Sequence, residues 1–529
     1  MLKLRLKSES TSRSVFFSTF FSFIAKMLSF VQAMIVSYYF GATKSTDFLF
    51  FCVSFTLLLP GLFNNINQSV IVPNAIRIRE RKSDEESHKF IMYVYVFYLV
   101  AGLVVSAIVS TMPEEFMLLA SKFNRADIKE NLMIVKLIIP TFFFVLTSSF
   151  ILNVFDSYRY FTFPMILDML KSLLTIGFIV LLGDRYGVVS MAAGILLAHM
   201  LQFVLLNFLL VKLLGFRFKL KRYKLENTLR KNILFVVISQ VSNILSQYVS
   251  IYLISGLSEG VYTALSYSDR FFNIFVLVFV GQVSTVVGIN MIETHAKGQF
   301  EKLNQQYLKY LKVTMTILLP ICFIMAVQAQ PVMSVLLERG NFTGESVLLT
   351  STFFKYTILI VPLLLLDRLV VGLIIAKQIL HVSFIWNVIS KILSGAVVYI
   401  IVNHMDYRYY GLGLLFVQLV YIILINLFMV KKQFKYINVN ESLKYLAISV
   451  SLCVALNLAI SRVFPTGNYE GVLKKLAALC IYSVLVLGSY YIIGFITYNR
   501  GAILLLLKYF QQIAFKHAGL RVPQINRFS

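Results

Sequence analysis

The sequence predicts an all-α polytopic membrane protein of about fourteen transmembrane helices. They are arranged as two parallel six-helix repeats followed by two C-terminal helices. Three observations carry this. The 529 residues are 58% hydrophobic and only 14% charged, where soluble domains carry about 25% charged residues; mean hydropathy is +0.79. Apolar runs long enough to cross a bilayer recur along the whole chain. Lysines and arginines collect in alternate loops: with a cytoplasmic N-terminus, the loops on that side hold about thirty and the opposite loops about ten. That asymmetry puts both termini in the cytoplasm and fits an even helix count. It also accounts for the net charge of +25 without nucleic acid, for which no aromatic-and-basic motif is present.

In chain order, a basic N-terminus (1–14) precedes a first lobe of six helices (15–211). These run at about Val15–Phe40, Thr46–Val72, Phe90–Met112, Leu132–Val154, Phe163–Leu182 and Val188–Val211. A full-length span follows the N-terminus directly, so no removable signal peptide is expected. A basic connector, 212–232, leads to a second lobe, 233–430. Its helices run at about Ile233–Ser255, Val261–Ile292, Lys312–Leu336, Val347–Ala376, Val382–Val402 and Gly411–Val430. Two further helices lie within 443–496, and the basic tail 497–529 contains GAILLLLKYFQQIAFKHAGL, a short amphipathic segment suited to the membrane surface. Pro60 with Gly61, Pro140, Pro320 and Pro362 mark helices expected to bend.

An internal echo supports two halves. FTFPMILDMLKSLLTIGFIVLL followed by YGVVSMAAGILLAHM resembles VSFIWNVISKILSGAVVYIIV followed by YGLGLLFVQLVYIIL, with Lys171 and Lys391 in similar places. An offset of six helices keeps orientation, which makes the repeats parallel. Transporters built this way bind substrate between their repeats.

No catalytic constellation is present: the six histidines are scattered, with no HExxH, nucleophile elbow or P-loop. The chain therefore reads as a transporter rather than an enzyme. No cofactor is expected, and its driving force is a gradient or the membrane potential. Cys52, Cys322, Cys453 and Cys480 all fall inside apolar runs and read as packing residues.

Ionisable residues inside spans are costly and mark function by default. Arg270, beside Asp269 on the eighth helix, heads this set. A guanidinium matches phosphate oxygens in two-point contact, although an Arg near a helix end also snorkels or ties helices together. Lys26, Arg368 and Lys391 are further candidate cations. Neighbours on a helix point about 100° apart, so neither Asp269–Arg270 nor Asp367–Arg368 cancels itself. Asp168 and Lys171 are spaced for a local bridge, and Asp47 stands where it complements a helix N-terminus or serves the site.

Three stretches are familiar. YYFGATKSTDFLFF with VIVPN at the end of the second helix, SDRFF at Ser268–Phe272, and LLERGNFTGES at Leu336–Ser346 resemble the MurJ/MviN family of the MOP flippase superfamily. The resemblance covers most of the chain. It implies a bacterial cytoplasmic-membrane flippase for an undecaprenyl-diphosphate-linked saccharide, with lipid II as the usual cargo. It further implies V-shaped lobes around a cationic cavity, a lipid-tail groove at the last two helices, and a working monomer. Arg270 falls on the family's essential eighth-helix arginine. Lys26 and Gln32 fall where first-helix arginines are usual, and Pro60–Gly61 where the second helix has paired arginines. These departures leave room for an exopolysaccharide or O-antigen precursor as cargo. Two rival readings are a cation-coupled exporter of small organic cations using Asp47, Asp168 or Asp367, and a scaffold that has lost transport.

Overall fold

The structure is a computed structural model that describes residues 11–158, 160, 162–216, 223, 227–281, 290–377, 379–466, 469 and 471–507. Among these there are helices and no strands. We number the membrane helices α1 (Thr11–Phe40), α2 (Lys44–Arg81), α3 (Asp84–Thr111), α4 (Leu132–Ser157), α5 (Thr162–Tyr186), α6 (Val188–Leu214) and α7 (Asn227–Ile254). They continue as α8 (Val261–Val280), α9 (Phe300–Val327), α10 (Gly344–Lys377), α11 (Leu380–His404), α12 (Tyr407–Gln433), α13 (Val439–Val463) and α14 (Val472–Thr497). Thirteen stretches of the described residues are long and apolar enough to cross a membrane, and the apolar part of α1, Ile24–Phe40, is a shorter one. The fourteen-helix reading holds. Residues 217–222 and 224–226 of the basic connector, 282–289 near the end of the expected eighth helix and the tail beyond 507 lie outside the described residues; 500–507 is helical.

The helix starts follow local chemistry. Thr43 caps α2 through a reciprocal box with Thr46: the Thr46 amide donates to Thr43 Oγ1 and the Thr43 amide donates to Thr46 Oγ1 at 2.8 Å. Ser83 accepts from the Glu86 amide at 3.2 Å, and Asp84, Glu85 and Glu86 load the first turn of α3 with negative charge. Of the four prolines, Pro140 interrupts α4 between Ile138 and Thr141, and α10 is interrupted between Thr357 and Ile360, just before Pro362. The helix continues through Pro60 and Pro320. Three π-helical turns were not anticipated: Asn67–Ile71 in α2, Val276–Gly281 in α8 and Ile425–Val430 in α12. Such turns carry one extra residue in the ladder and leave no mark in a 3.6-residue hydrophobic period.

Packing divides the chain into two units: Met1–Tyr267 with Leu337–Leu349 and Lys391–Tyr407, and Ser268–Leu336 with Thr350–Ser390 and Arg408–Ser529. The cut differs from one placed in the connector, because α7, the start of α8 and the 337–349 turn pack with the first six helices.

In the first unit a core of α2, α3, α4 and α6 is built on fully buried aromatics such as Phe90, Tyr95, Phe150 and Phe155. Lipid tails are as apolar as Leu, so helix association here depends on packing and interhelical hydrogen bonds rather than on escape from water. The buried tyrosines supply them: Tyr95 donates to Asn207 Oδ1 at 2.6 Å and Tyr98 to Asn67 Oδ1 at 2.7 Å.

The second unit is organised along α9. Lys312 pairs with Glu441 at 2.7 Å, one end of a line of contacts to α13 and α14. Thr316 shares a hydrogen bond with Tyr445 at 2.7 Å, and Asn499, just past α14, donates to both, at 2.7 and 3.1 Å. Tyr482 donates to Asn457, joining α13 to α14, and Thr466 donates to Gln328. Cys322 and Cys453 are buried free thiols, as is Cys52 in the first unit, while Cys480 is exposed.

Asn499 is 2% exposed, so Asn499→Ala leaves two buried hydroxyls short of a donor at a cost of about 1–3 kcal/mol. The apparent melting temperature of the purified protein should fall, and an unchanged value would remove Asn499 from the anchor.

Candidate functional site

The ends of the helices opposite the basic loops meet in an interlocked set of turns within the first unit. Asp47, in the first turn of α2, is 2% exposed. Its carboxylate reaches α8: Oδ2 accepts from the Gly260 amide at 2.7 Å, and Oδ1 accepts from the Thr263 amide at 2.7 Å and the Thr263 hydroxyl at 2.6 Å. A buried carboxylate is costly unless its lone pairs are filled. Here they are filled by the unsatisfied amides of a helix start, whose dipole also favours negative charge.

Around this cap the backbone turns touch. Gly41 has φ +62°, and a Cβ there would stand 2.3 Å from the carbonyl oxygen of Asn341. Gly340 has φ +57°, and its Cβ would stand 2.3 Å from the carbonyl oxygen of Tyr38. The Asn341 amide donates to that oxygen at 3.0 Å, and its side-chain amide donates to the carbonyl of Tyr39. Lys44 adds a backbone bond to Glu259 at 2.9 Å and an ion pair with Asp127 at 3.4 Å. The Lys122 amide donates to Ser255 Oγ at 2.9 Å at the end of α7. The stretches YYFGATKSTD and ERGNF are therefore the two faces of one closure.

One turn further along, α8 changes character. Ser268 and Phe271 are buried against α10, with Ser268 Oγ 3.3 Å from Thr357 Oγ1 and the Phe271 ring edge-on to Phe354 at 6.4 Å. Asp269 and Asn273 are exposed and Arg270 is half-buried. The packed face fixes the rotation of α8, so Asp269, Arg270 and Asn273 are turned off it as a polar face.

Lys26 precedes Ala33 by seven residues and so shares its direction to within about 20°. Ala33 is buried with Val36 and Phe40, yet Lys26 is exposed. Lys26 thus lies in line with the buried stripe of α1 but is itself exposed. Gln32 is half-buried. Arg368 is exposed, and its neighbour Asp367 accepts from the Tyr421 hydroxyl at 3.0 Å. Lys391 is half-buried, and Lys171 forms the expected local bridge with Asp168 at 2.9 Å. Lys26, Gln32, Asp47 and Lys391 belong to the first unit, and Asp269, Arg270 and Arg368 to the second.

At Pro60–Gly61, α2 carries no cation. Just beyond it comes a run of amides that a search for charges passes over. Asn64 accepts from Asn153 at 2.7 Å, and Asn65 donates to Gln240 on α7 at 3.3 Å, which also accepts from Asn243 at 3.0 Å. Four amides within five residues of one span, N-N-I-N-Q, was the available signal.

Comparison with known proteins bears on this arrangement. The profile of the family described as "Lipid II flippase MurJ" matches residues 36–497. The chain belongs to the MurJ lipid II flippase family. Among curated MurJ relatives, a probable lipid II flippase of Borreliella burgdorferi is 24% identical over 349 residues, covering 64% of this chain and 67% of the relative. One of Aquifex aeolicus is 24% identical over 405 residues, covering 73% and 77%. A solved MurJ structure, described as an inward closed conformation, superposes with a TM-score of 0.74 at 18% identity over 91% of this chain and 99% of that one. An inward-facing MATE transporter of the MOP superfamily gives 0.61 at 15% identity, over 75% and 92%. The MurJ and MATE likenesses agree on the fold, and the family places the chain as a multi-pass protein of the bacterial inner membrane. This MurJ family member carries Lys26 and Gln32 on α1 and no cation at Pro60–Gly61 on α2.

Two outcomes test the closure. Asp47→Ala should speed deuterium exchange at the Gly260 and Thr263 amides about tenfold or more, the equivalent of losing charge-assisted bonds worth about 1.5–3 kcal/mol; retained protection would show that the cap does not hold α8. Gly340→Ala should loosen the 36–46 and 337–343 segments in the same measurement, because its Cβ meets backbone and its φ is positive.

Proposed function

We propose that this chain is a flippase that carries an undecaprenyl-diphosphate-linked saccharide, lipid II in the first instance, to the outer leaflet by alternating access. Its N- and C-termini lie in the cytoplasm, and it works without a cofactor and as a monomer. Family membership over residues 36–497 carries this reading, and the polar face of α8 with Arg270 supports it chemically.

A diphosphate bears about two negative charges, which bare hydrocarbon cannot accept. Arg270 offers a planar fork to its oxygens. Lys26 adds a point charge, and Arg368 and Lys391 add further positive potential. Asp269 and Gln32 complete the polar surroundings, and the amides at Asn65 and Gln240 suit saccharide hydroxyls. The polyprenyl tail stays in lipid throughout. With the basic loops in the cytoplasm, the Asp47 cap closes the outer end, and cargo release requires it to open. An inside-negative potential favours outward passage of the anion by about 2.3 kcal/mol per charge per 100 mV, which makes the potential a sufficient drive.

The exporter reading needs a binding acid. Asp47 has both oxygens bonded to α8, Asp168 is paired with Lys171, and Asp367 accepts from Tyr421. All three acids are engaged, which favours the anionic cargo. The uncharged Pro60–Gly61 position keeps a second lipid-linked glycan, such as an O-antigen or exopolysaccharide unit, as the alternative cargo.

In proteoliposomes, translocation is read by the exposure of lipid II to a probe confined to the outer face. Arg270→Ala should lower the rate about 100-fold or more while leaving folded protein in the membrane; wild-type flipping would exclude Arg270 from the site. Lys26→Arg should keep most of the activity that Lys26→Ala loses, and equal losses would deny Lys26 a charge-based role.

A further inference from the structure

At the opposite end of α2 from the closure, a second cluster of cations has no counterpart in the reading above. Four basic residues crowd its last turns and cap: Arg77, Arg79, Arg81 and Lys82. Arg79 is in use, lying over the Tyr158 ring at 4.6 Å and donating to the Ser157 carbonyl at 3.2 Å. The other three are exposed, and among the described residues none of their side chains is in an ion pair or hydrogen bond. They converge on a cleft of about 160 Å³ closed by Asn74, Ile78, Tyr223 and Leu229, the space of about five liquid waters.

The cleft is built. Tyr223 is held against the buried Phe90 ring at 5.3 Å, and Ile78 and Leu229 are buried and form an apolar floor. Asn74, Arg77 and Arg81 are spaced to share one helix face, so the two guanidiniums are a like-charge pair four residues apart, an arrangement that opposes the helix when nothing neutralises it. Attraction to the helix C-terminus explains basic residues in a last turn, but not their convergence with an amide and an aromatic wall on one concave space. The neighbouring acids do not line it: Glu85 and Glu86 pair with Lys89 at 3.5 and 2.5 Å, and Glu80 with Arg79 at 3.8 Å.

We propose that this cleft binds the phosphate of an anionic lipid headgroup in the cytoplasmic leaflet, at a site separate from the one that carries cargo. Two guanidinium forks and a lysine face the phosphate oxygens, Asn74 supplies an amide, and the apolar floor takes the start of the glycerol backbone. The place is apt, since α2 ends here on the side where the basic loops gather and where anionic lipids raise local negative potential. A cleft of this volume takes a phosphate and has no room for an oligosaccharide.

The test uses the full-length protein in detergent, titrated with phosphatidylglycerol, phosphatidylcholine, undecaprenyl diphosphate or inorganic pyrophosphate, with binding read by native mass spectrometry and thermal shift. Phosphatidylglycerol should bind at least tenfold more tightly than phosphatidylcholine. The triple variant Arg77→Gln/Arg81→Gln/Lys82→Gln should lose about 100-fold of that affinity, while Arg77→Lys/Arg81→Lys keeps most of it. A control, Lys297→Gln/Lys302→Gln/Lys309→Gln, removes equal charge elsewhere and should change little. If the control loses as much as the triple variant, or the triple variant binds like the native chain, the site is disproved. If undecaprenyl diphosphate alone binds there, the cleft serves cargo entry, and if pyrophosphate competes equally it takes a soluble ion; either result overturns the phospholipid assignment. Lipid II flipping at a fixed lipid composition stands apart from these measurements, so failure here leaves the cargo site untouched.

Discussion

A single buried carboxylate sets the terms for the rest of the structure. Asp47 sits in the first turn of one helix and neutralises the first turn of another, so two positive helix ends share one negative charge. Neither helix can move along its axis without exposing that charge or stranding the Gly260 and Thr263 amides. The rotation of α8 is fixed by the same anchor together with the Ser268 and Phe271 contacts one turn on. That rotation sets Arg270 off the face that packs on α10 and leaves it half-buried.

The closure and the proposed binding chemistry share one helix. The first two turns of α8 are tied to α2, and the next turn carries Asp269, Arg270 and Asn273. The hydrogen-bonded anchoring of α13 and α14 along α9 gives the second unit a continuous wall through Lys312, Thr316, Gln328 and Asn499.

Much of this was legible from residues alone. Helix number came from apolar runs and the Asp168–Lys171 bridge from its spacing; extent did not, since α2 runs on to Arg81 and α9 starts at Phe300, twelve residues before the expected Lys312, through polar turns that an apolar window leaves out. The familiar stretches were legible as a pattern, but not as a mechanism. YYFGATKSTD and ERGNF are some three hundred residues apart, and only coordinates reveal that they press on each other. Asp47 was readable as a residue at a helix start, yet the start it serves belongs to α8, 213 residues away. The amides Asn64, Asn65 and Gln240 escaped notice because a search keyed to charge ignores neutral donors. The π turns were invisible for a different reason: one surplus residue in the ladder leaves no mark on a hydrophobic period read over a whole span.

The approach of Gly41 to the Asn341 carbonyl and of Gly340 to the Tyr38 carbonyl has a consequence for what the joint tolerates. Its surfaces are carbonyl oxygen and amide, shaped by two residues without side chains, so its specificity is stored in the main chain. Sequence drift across the surrounding lipid-facing positions leaves such a joint unaltered, and only a change at the glycines themselves would erase it. A joint of this kind tolerates exchange of the side chains around it as long as both glycines stay.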